Sequence, residues 1–419
     1  LRELRDRNWE PFPIDVSKIS AVVITHAHLD HCGYLPRLIA QGFSGKIHMT
    51  YYTAKLAAVV LRDSASLQIE DAKYAKKKGY SKHKDPKPLY SLEDAEKAIS
   101  LFVKHPFEEP IQISNLGTVT FKRSGHILGS SSALINFHGK EILFSGDLGR
   151  PHHPILKSPD PLPSKGIDAV VIESTYGDRT HPAKSNDLAD AINRTVKRGG
   201  TVLIPAFAID RTEVILMALH ELIDAKKIPP LPIYVDSPMA IAALNLYRKA
   251  INENSMEIRK EVRSEFKETD PFNPGGLVQA LDVEQSKLLP IEDQQSIIIS
   301  ASGMATGGRV VHHLKDMLGN GENTILLVGF QAIGSRGRML EDGINRIRIF
   351  GDWISVKSHV AKVECFSVHA DKNDLLTWFK KCGKVNQVFI VHGESESQMA
   401  LRDLLHKELH WNTAIPKSF

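Results

Sequence analysis

The sequence predicts an α/β protein, and three observations lead there. From Asp187 onward, apolar stretches of helical and of strand spacing alternate, the pattern of a parallel sheet with helices on its faces. Ahead of that region, short strands follow one another closely, and several stop at a residue able to do chemistry. The 419 residues are 42% apolar and 24% charged, ordinary for a globular chain and long enough for more than one core or a large insertion. No run approaches the ~18 apolar residues of a membrane span, and no secretory signal is visible. The chain begins at Leu1 rather than Met, so an N-terminal piece is expected to be missing.

Charge and cysteine usage narrow the setting. Cys32, Cys365 and Cys382 are odd in number and lack framework spacing, which predicts a reducing, cytoplasmic environment rather than disulfides. Cys32, beside His31, is a buried thiol or a metal ligand. The net charge of +4 is compatible with a nucleic-acid partner without requiring one. Lys73, Lys76, Lys77, Lys78, Lys82, Lys84 and Lys87 crowd together, as a solvated helix face or as an RNA contact.

Taken in order, Leu1 to Asp15 is a polar approach segment. Ala21 to Ile24 is a β-branched strand. Tyr34 to Gln41 starts a helix that Gly42 to Gly45 ends. Thr53 to Lys78 has helical spacing, stopped by Gly79, and Lys82 to Pro88 is loop. Ser91 and Asp94 form a capping-box pattern that opens a helix to about Lys104. Strands follow at Ile111–Ile113, Thr118–Phe121, Ala133–Phe137 and Ile142–Phe144, with a hairpin turn in Asn136-Phe137-His138-Gly139. Beyond Asp187 the helices are Leu188–Lys197, Thr212–Ala225 and most of Ala240–Lys267. The strands there are Thr201–Ile204, Ile233–Val235, Ser296–Ser300 and Thr324–Val328.

The chemistry concentrates after the first strand, in THAHLDHCG. Side chains at alternate positions of an extended segment point the same way, so His26 and His28 can share one ion. Asp30 and His31 point elsewhere and can serve a second. Further strands lead to His126 in SGHILGS, Asp147 in SGDLG, Glu173 in ESTYGDR and His392 in VHGE. A short run, Val363 to Phe366, leads to His369 in FSVHAD. Residues so placed gather at a sheet edge, where loops build sites. Ser130 to Ser132 reads as turn chemistry, because no base is spaced to make a nucleophile of them. Ser300 to Arg309, SASGMATGGR, is either a phosphate cradle at a helix N-terminus or a tight strand-to-helix turn, which makes Ser302, Gly303 and Arg309 candidate substrate contacts. Arg336 and Arg338, in a GSRGR segment read as a flexible loop, line an RNA cleft or are merely solvated. Arg211, after a strand, invites the same pair of readings.

HxHxDH after a strand, followed by His126 and Asp147, resembles the metal motif of the metallo-β-lactamase superfamily. Glu173, His369 and His392 are similar to the A, B and C motifs of its β-CASP branch, and the likeness extends to PAFAIDR, DSPMA and SASGMATGGRVVHHL. It covers essentially the whole chain and is nearest to prokaryotic RNA-processing nucleases similar to the endonuclease subunit of the cleavage and polyadenylation factor. The resemblance implies a metallo-β-lactamase αββα sandwich over 1–177 and 367–419, interrupted by a β-CASP α/β domain over 178–366. It implies two zinc ions, one held by His26, His28 and His126, the second by Asp30, His31 and His392, with Asp147 bridging. Asp30, Glu173 and His369 are the implied catalytic residues, His369 as the acid and Glu173 orienting it. The implied activity is hydrolysis of RNA phosphodiesters by a dizinc-bound hydroxide, in RNA processing or decay, by endonuclease or 5′→3′ exonuclease action. His392 at motif C favours RNA over DNA. A homodimer is possible, and no membrane partner is expected. The branch's first motif, an Asp on a strand upstream of HxHxDH, is absent together with its hairpin. Val368 and Asp210 stand where Ala or Gly, and Gly, are common. The rivals are another hydrolase of the superfamily, which would lack the later trio, a DNA-acting β-CASP nuclease, and a non-catalytic scaffold subunit, which would have lost ligands.

Overall fold

The computed structural model describes residues 6–79, 85–113, 117–163, 165–182, 186–266, 269–287, 289 and 294–416. These fall into two compact units. One spans Arg5–Thr180, Ser255–Arg259 and Val368–Phe419, the other His181–Asn254 and Lys260–Ser367.

The first unit opens with three parallel strands, β1 (Ala21–Val23), β2 (Lys46–Thr50) and β3 (Phe102–His105). Helices cover them. Tyr51–Lys78 is capped by the Thr50 side chain and stopped at Gly79, whose φ of 66° suits a residue without Cβ. The expected capping box is present at Ser91 and Asp94, but their helix is Leu92–Ser100. It stops short of Lys104 because Phe102–His105 pairs with β2 instead; its apolar residues mimic the tail of a helical stripe. Lys73, Lys76 and Lys77 are exposed near the end of the long helix, and Lys76 pairs with Asp85 at 2.8 Å. Lys82 and Lys84 lie outside the described residues.

An antiparallel run follows: β4 (Pro110–Ile113), β5 (Gly117–Arg123), β6 (Ser131–Phe137) and β7 (Lys140–Phe144). His138 and Gly139 turn β6 into β7 with φ of 48° and 78°, the positive pair of a tight hairpin. Then β8 (Ile167–Ile172) joins β7 in parallel.

The second unit is a parallel sheet of β9 (Val202–Pro205), β10 (Ile233–Val235), β11 (Leu277–Gln279), β12 (Ile297–Ser300), β13 (Thr324–Leu327) and β16 (His359–Lys362), in the order β11-β10-β12-β9-β13-β16. A separate antiparallel hairpin, β14 (Arg346–Ile349) and β15 (Asp352–Ser355), precedes β16 in the chain. Leu203, Ile298 and Ile325 pack with Val310 and Leu314 of the helix Arg309–Met317 in one core. The long helix expected over Ala240–Lys267 is two, Pro238–Asn252 and Lys260–Glu265, because Ser255–Arg259 leaves to join the first unit. The run Val363–Phe366 is not a strand; the pairing residues are His359–Lys362 just before it.

The chain then returns with β17 (Val385–Ile390) and β18 (Thr413–Ala414), which complete the sheet β18-β17-β8-β7-β6-β5-β4. Its two faces carry different cores. Leu134, Leu143, Val170 and Val388 meet the helices Lys372–Lys380 and Ser395–Leu409 through Leu375, Phe379, Leu401 and Leu405. Ala133 and Ile135, flanking Leu134, turn with Phe121 to the opposite face and meet Val23 of β1. Helix, sheet, sheet and helix are thus layered as a sandwich, the metallo-β-lactamase architecture expected, and the second unit is the inserted α/β domain.

Candidate metal centre

Strand direction assembles the site. In the larger sheet β5, β7, β8 and β17 all run the same way, with β6 reversed between the first two. Their carboxyl ends therefore share one edge. His126, Asp147, Glu173 and His392 each lie just past such an end. β1, in the facing sheet, ends just before His26 and His28. His28 is the extended N-cap of the single helical turn Leu29–Cys32, which carries Asp30 and His31. That turn groups Asp30 and His31 with His392, but it does not point His31 away from the first pair: its ring lies 4.0 Å from that of His26.

Three donor groups result, each within 4.8 Å: His26, His28, His126 and Asp147 in one, Asp30, His31 and His392 in a second, and Asp147, Glu173 and His392 in a third that overlaps both. Asp147 faces the first two. Its Oδ2 lies 3.4 Å from His26 Nε2 and 3.6 Å from His126 Nε2. Its Oδ1 lies 3.4 Å from His31 Nε2 and 3.6 Å from His392 Nδ1. In the first group His126 Nε2 is 3.2 Å from His28 Nδ1. In the second, His392 Nε2 is 3.2 Å from His31 Nε2 and 3.3 Å from Asp30 Oδ2. Donors bound tetrahedrally at about 2.0–2.2 Å from one ion stand about 3.3–3.6 Å apart, so these separations suit shared ions.

The electrostatics agree. Burial depresses His26, His28 and His126 below the usual histidine range, His28 to about 3, so all three are neutral imidazoles, the form that binds metal. Burial opposes ionisation of Asp147, but the surrounding imidazoles, His26 foremost, hold it well below the usual carboxylate range. Burial also opposes charge on His392, yet its bond to Asp30 and the nearby Asp147 raise it to about 10. The carboxylates thus call for positive charge between them. His26 Nε2 and Asp147 Oδ1 are buried and make no hydrogen bond among the described residues, which an ion would remedy. The residues fit a divalent metal, and specifically a nitrogen-and-oxygen metal such as zinc.

His369 stands beside the first group, its ring 4.4 Å from that of His126. Burial disfavours its cation, but Glu173 and Asp147 together outweigh burial and the net shift is upward. Glu173 is 1% exposed. Its Oε1 accepts from the Leu148 amide at 2.7 Å and its Oε2 from Thr175 N at 3.3 Å, and both oxygens lie 3.2 Å from His369 Nδ1.

Several supporting residues carry little or no mark in the sequence. Thr25 Oγ1 lies 3.2 Å from His26 Nδ1, and Thr175 Oγ1 lies 3.2 Å from His392 Nδ1. Thr25 adjoins a motif residue and Thr175 sits in the ESTYGDR motif, and that proximity is their only signal. Glu257 has none: its Oε2 accepts the Gly129 amide at 2.6 Å, beside the His126 loop. Ser130 does serve its turn, its Oγ accepting from His126 N at 3.0 Å and Ile127 N at 3.1 Å.

The candidate substrate contacts lie in the second unit, past the ends of β12 and β13, and are largely engaged with their own chain. Ser302 Oγ caps Thr306 N at 3.0 Å. A Cβ on Gly303 would press on Phe207. Arg309 Nη1 reaches Asp236 Oδ1 at 2.6 Å and Ala280 O at 2.9 Å. Arg336 Nη1 reaches Ala305 O and Thr306 O at 3.2 and 3.1 Å, and Arg338 pairs with Asp342 at 2.8 Å. GSRGR is no flexible loop: the Ser335 side chain caps the helix Arg336–Glu341. Arg211 is buried and its Nη1 donates to Val328 O.

The chain matches the models of the metallo-β-lactamase superfamily at residues 12–205, the β-CASP domain at 212–340 and the Zn-dependent metallo-hydrolase RNA specificity domain at 353–416. It is 34% identical over 403 residues to a protein named Ribonuclease TTHA0252 of Thermus thermophilus, covering 95% of this chain and 87% of that one. The chain belongs to the β-CASP branch of the metallo-β-lactamase superfamily. A further β-CASP relative, an RNase J-like protein of Methanocaldococcus jannaschii, is 32% identical over 96% of this chain and 88% of its own. The Transcription termination factor FttA of Methanothermobacter thermautotrophicus is 27% identical over 98% of this chain, which spans 64% of that protein.

Proposed function

We propose that this β-CASP protein is a zinc-dependent ribonuclease that hydrolyses the phosphodiester backbone of RNA in processing or decay. The observation that carries the reading is Asp147, with one oxygen toward each of two donor groups, which is one of the ways a carboxylate can serve two ions. The ribonuclease names of relatives that match nearly the whole chain support RNA as the substrate. His26, His28 and His126 would hold one zinc, Asp30, His31 and His392 the other. The metallo-β-lactamase part is assigned to 1–177 and 367–419 and the β-CASP part to 178–366.

A bound zinc pair would supply Lewis acidity toward the phosphate and ionised water at neutral pH. The protein's own residues do the rest. His26, His28 and His126 bind as neutral ligands without first losing a proton. Glu173 accepts from His369 Nδ1, which fixes the ring and leaves Nε2 to carry a proton to the departing ribose oxygen. Leu148 N and Thr175 N hold the Glu173 carboxylate in place for that task. Cys32, Cys365 and Cys382 form no disulfide, in keeping with a cytoplasmic setting. Among the described residues no helix is long and apolar enough to cross a membrane.

The test is zinc analysis of the full-length protein together with cleavage of RNA labelled at a 5′-monophosphate or a 5′-triphosphate. Two zinc per chain and cleaved RNA are expected, with internal fragments or mononucleotides distinguishing endonuclease from exonuclease action. A metal-replete protein that leaves both RNAs whole overturns the reading.

A further inference from the structure

The β14–β15 hairpin of the second unit presents a face that none of the roles above uses. Burial along β14 alternates strictly: Ile347 and Ile349 are buried, Arg346 and Arg348 exposed. The buried pair anchors the hairpin in the core beside Leu340 and Leu314. Pairing places Trp353 of β15 directly opposite Arg348, and Ser355 opposite Arg346. Trp353 is 61% exposed, and the Arg346 guanidinium lies diagonally over its ring, 5.4 Å from the centroid. Two arginines and a tryptophan thus share the outer face of a short antiparallel ribbon.

The neighbouring acids do not neutralise it. Asp352 pairs with Lys315 at 2.9 Å, Asp342 with Arg338 at 2.8 Å, and Glu341 with Lys362 at 2.7 Å. Arg348 Nε donates to Gly351 O at 3.2 Å, a carbonyl that leaves its charge intact. Among the described residues neither Arg346 nor Arg348 meets a carboxylate. The hairpin's hold on the core comes from its other face, so the anchoring does not need this indole or these two guanidiniums.

We propose that Arg346, Arg348 and Trp353 form a stacking platform for single-stranded RNA, a contact of the substrate class assigned above and resting on that reading. The chemistry names the ligand. A flat, exposed ring takes a base of any identity, and guanidiniums at its side take the flanking phosphates. An acidic protein surface would satisfy the arginines but not the open ring face, so RNA fits the whole face better. The contact is sequence-tolerant, because ring and charges read the π-face and the backbone rather than base edges.

Binding of a fluorescent single-stranded oligoribonucleotide by the full chain, in chelator so that nothing is cut, tests this without depending on catalysis. Trp353→Ala is expected to weaken affinity roughly five- to a hundredfold, as when one base no longer stacks, and Trp353→Phe to restore most of it. Arg346→Gln with Arg348→Gln should lower the slope of log affinity against log salt by about 0.7 for each phosphate that is no longer neutralised. Hydrolysis of bis-p-nitrophenyl phosphate, too small to span the platform, should be unchanged in every variant, which also shows that they fold. Unchanged RNA affinity and salt slope in the Ala and double Gln variants overturn the proposal. So does a loss of self-association in those variants with RNA binding intact, which would make the face a protein contact. A parent that binds RNA through this face yet cleaves neither substrate would instead refute the nuclease reading and leave the platform standing.

Discussion

Glu173 holds both carboxylate oxygens 3.2 Å from His369 Nδ1 across 196 residues of sequence. One of those oxygens is fastened by the Leu148 amide, so the carboxylate is fixed by backbone and the imidazole is fixed by the carboxylate. Glu173→Gln keeps the shape but removes the charge that raises His369. Turnover of RNA is expected to fall about a hundredfold or more, in the range of a lost general acid. His369→Ala should fall at least as far, with zinc content and KM close to the parent's in both, read by steady-state kinetics and elemental analysis.

Asp147 predicts a metal phenotype. Asp147→Asn removes the charge shared by both donor groups and turns an amide toward one of them. Zinc measured by atomic absorption should drop from two per chain to one or fewer, with RNA cleavage lost. Retention of two tightly held ions would show that the carboxylate does not bridge.

Glu257 makes stability depend on pH. Burial against Gly129 and its neighbours pushes the carboxyl from 4.5 up to about 7, so the folded protein binds this proton more tightly than the unfolded chain does. Its contribution is fully present below about 4.5, fades as pH rises, and is gone above about 7. The loss is about 3.5 kcal/mol at most, at about 1.4 kcal/mol per unit. Glu257→Gln retains an acceptor for the Gly129 amide. It is expected to leave the melting temperature near pH 4.5 unchanged and to raise it by several degrees at pH 8; equal melting curves at both values would contradict this.

Asp236 secures the second unit. It is fully buried and takes Arg309 at 2.6 Å, His313 at 2.6 Å and Ser286 at 2.7 Å. Asp236→Ala strands the two basic groups, which typically costs about 3–5 kcal/mol. Denaturant unfolding should show that loss, while zinc bound by the first unit stays at the parent's level.

Most of the candidate metal centre was legible because its residues obey a local rule: each follows a strand, and same-direction strands end at one edge. His26, His28, Asp30 and His31 could be divided into two groups from spacing alone. The hairpin at His138-Gly139 and the capping box at Ser91 were legible for the same reason, since a few adjacent residues decide them. Phe102–His105 was not, because its strand state depends on pairing with Lys46–Thr50, more than fifty residues earlier. Glu257 was invisible for a stronger version of that reason: a five-residue excursion from the second unit delivers it to Gly129. The arginines Arg309, Arg336 and Arg338 showed their charge in the sequence but not their partners, and the partners turn out to be carbonyls and acids of the same unit.

The placement of His392 has a consequence for biosynthesis. It follows β17, a strand that enters the sheet beside β8, whose last residue, Ile172, emerges from the ribosome more than two hundred residues sooner. Contacts of such separation form late and slowly. A growing polypeptide therefore carries the other six candidate ligands for a long interval before His392 can join them, and the proposed dizinc site is complete only after translation of nearly all of the chain described here.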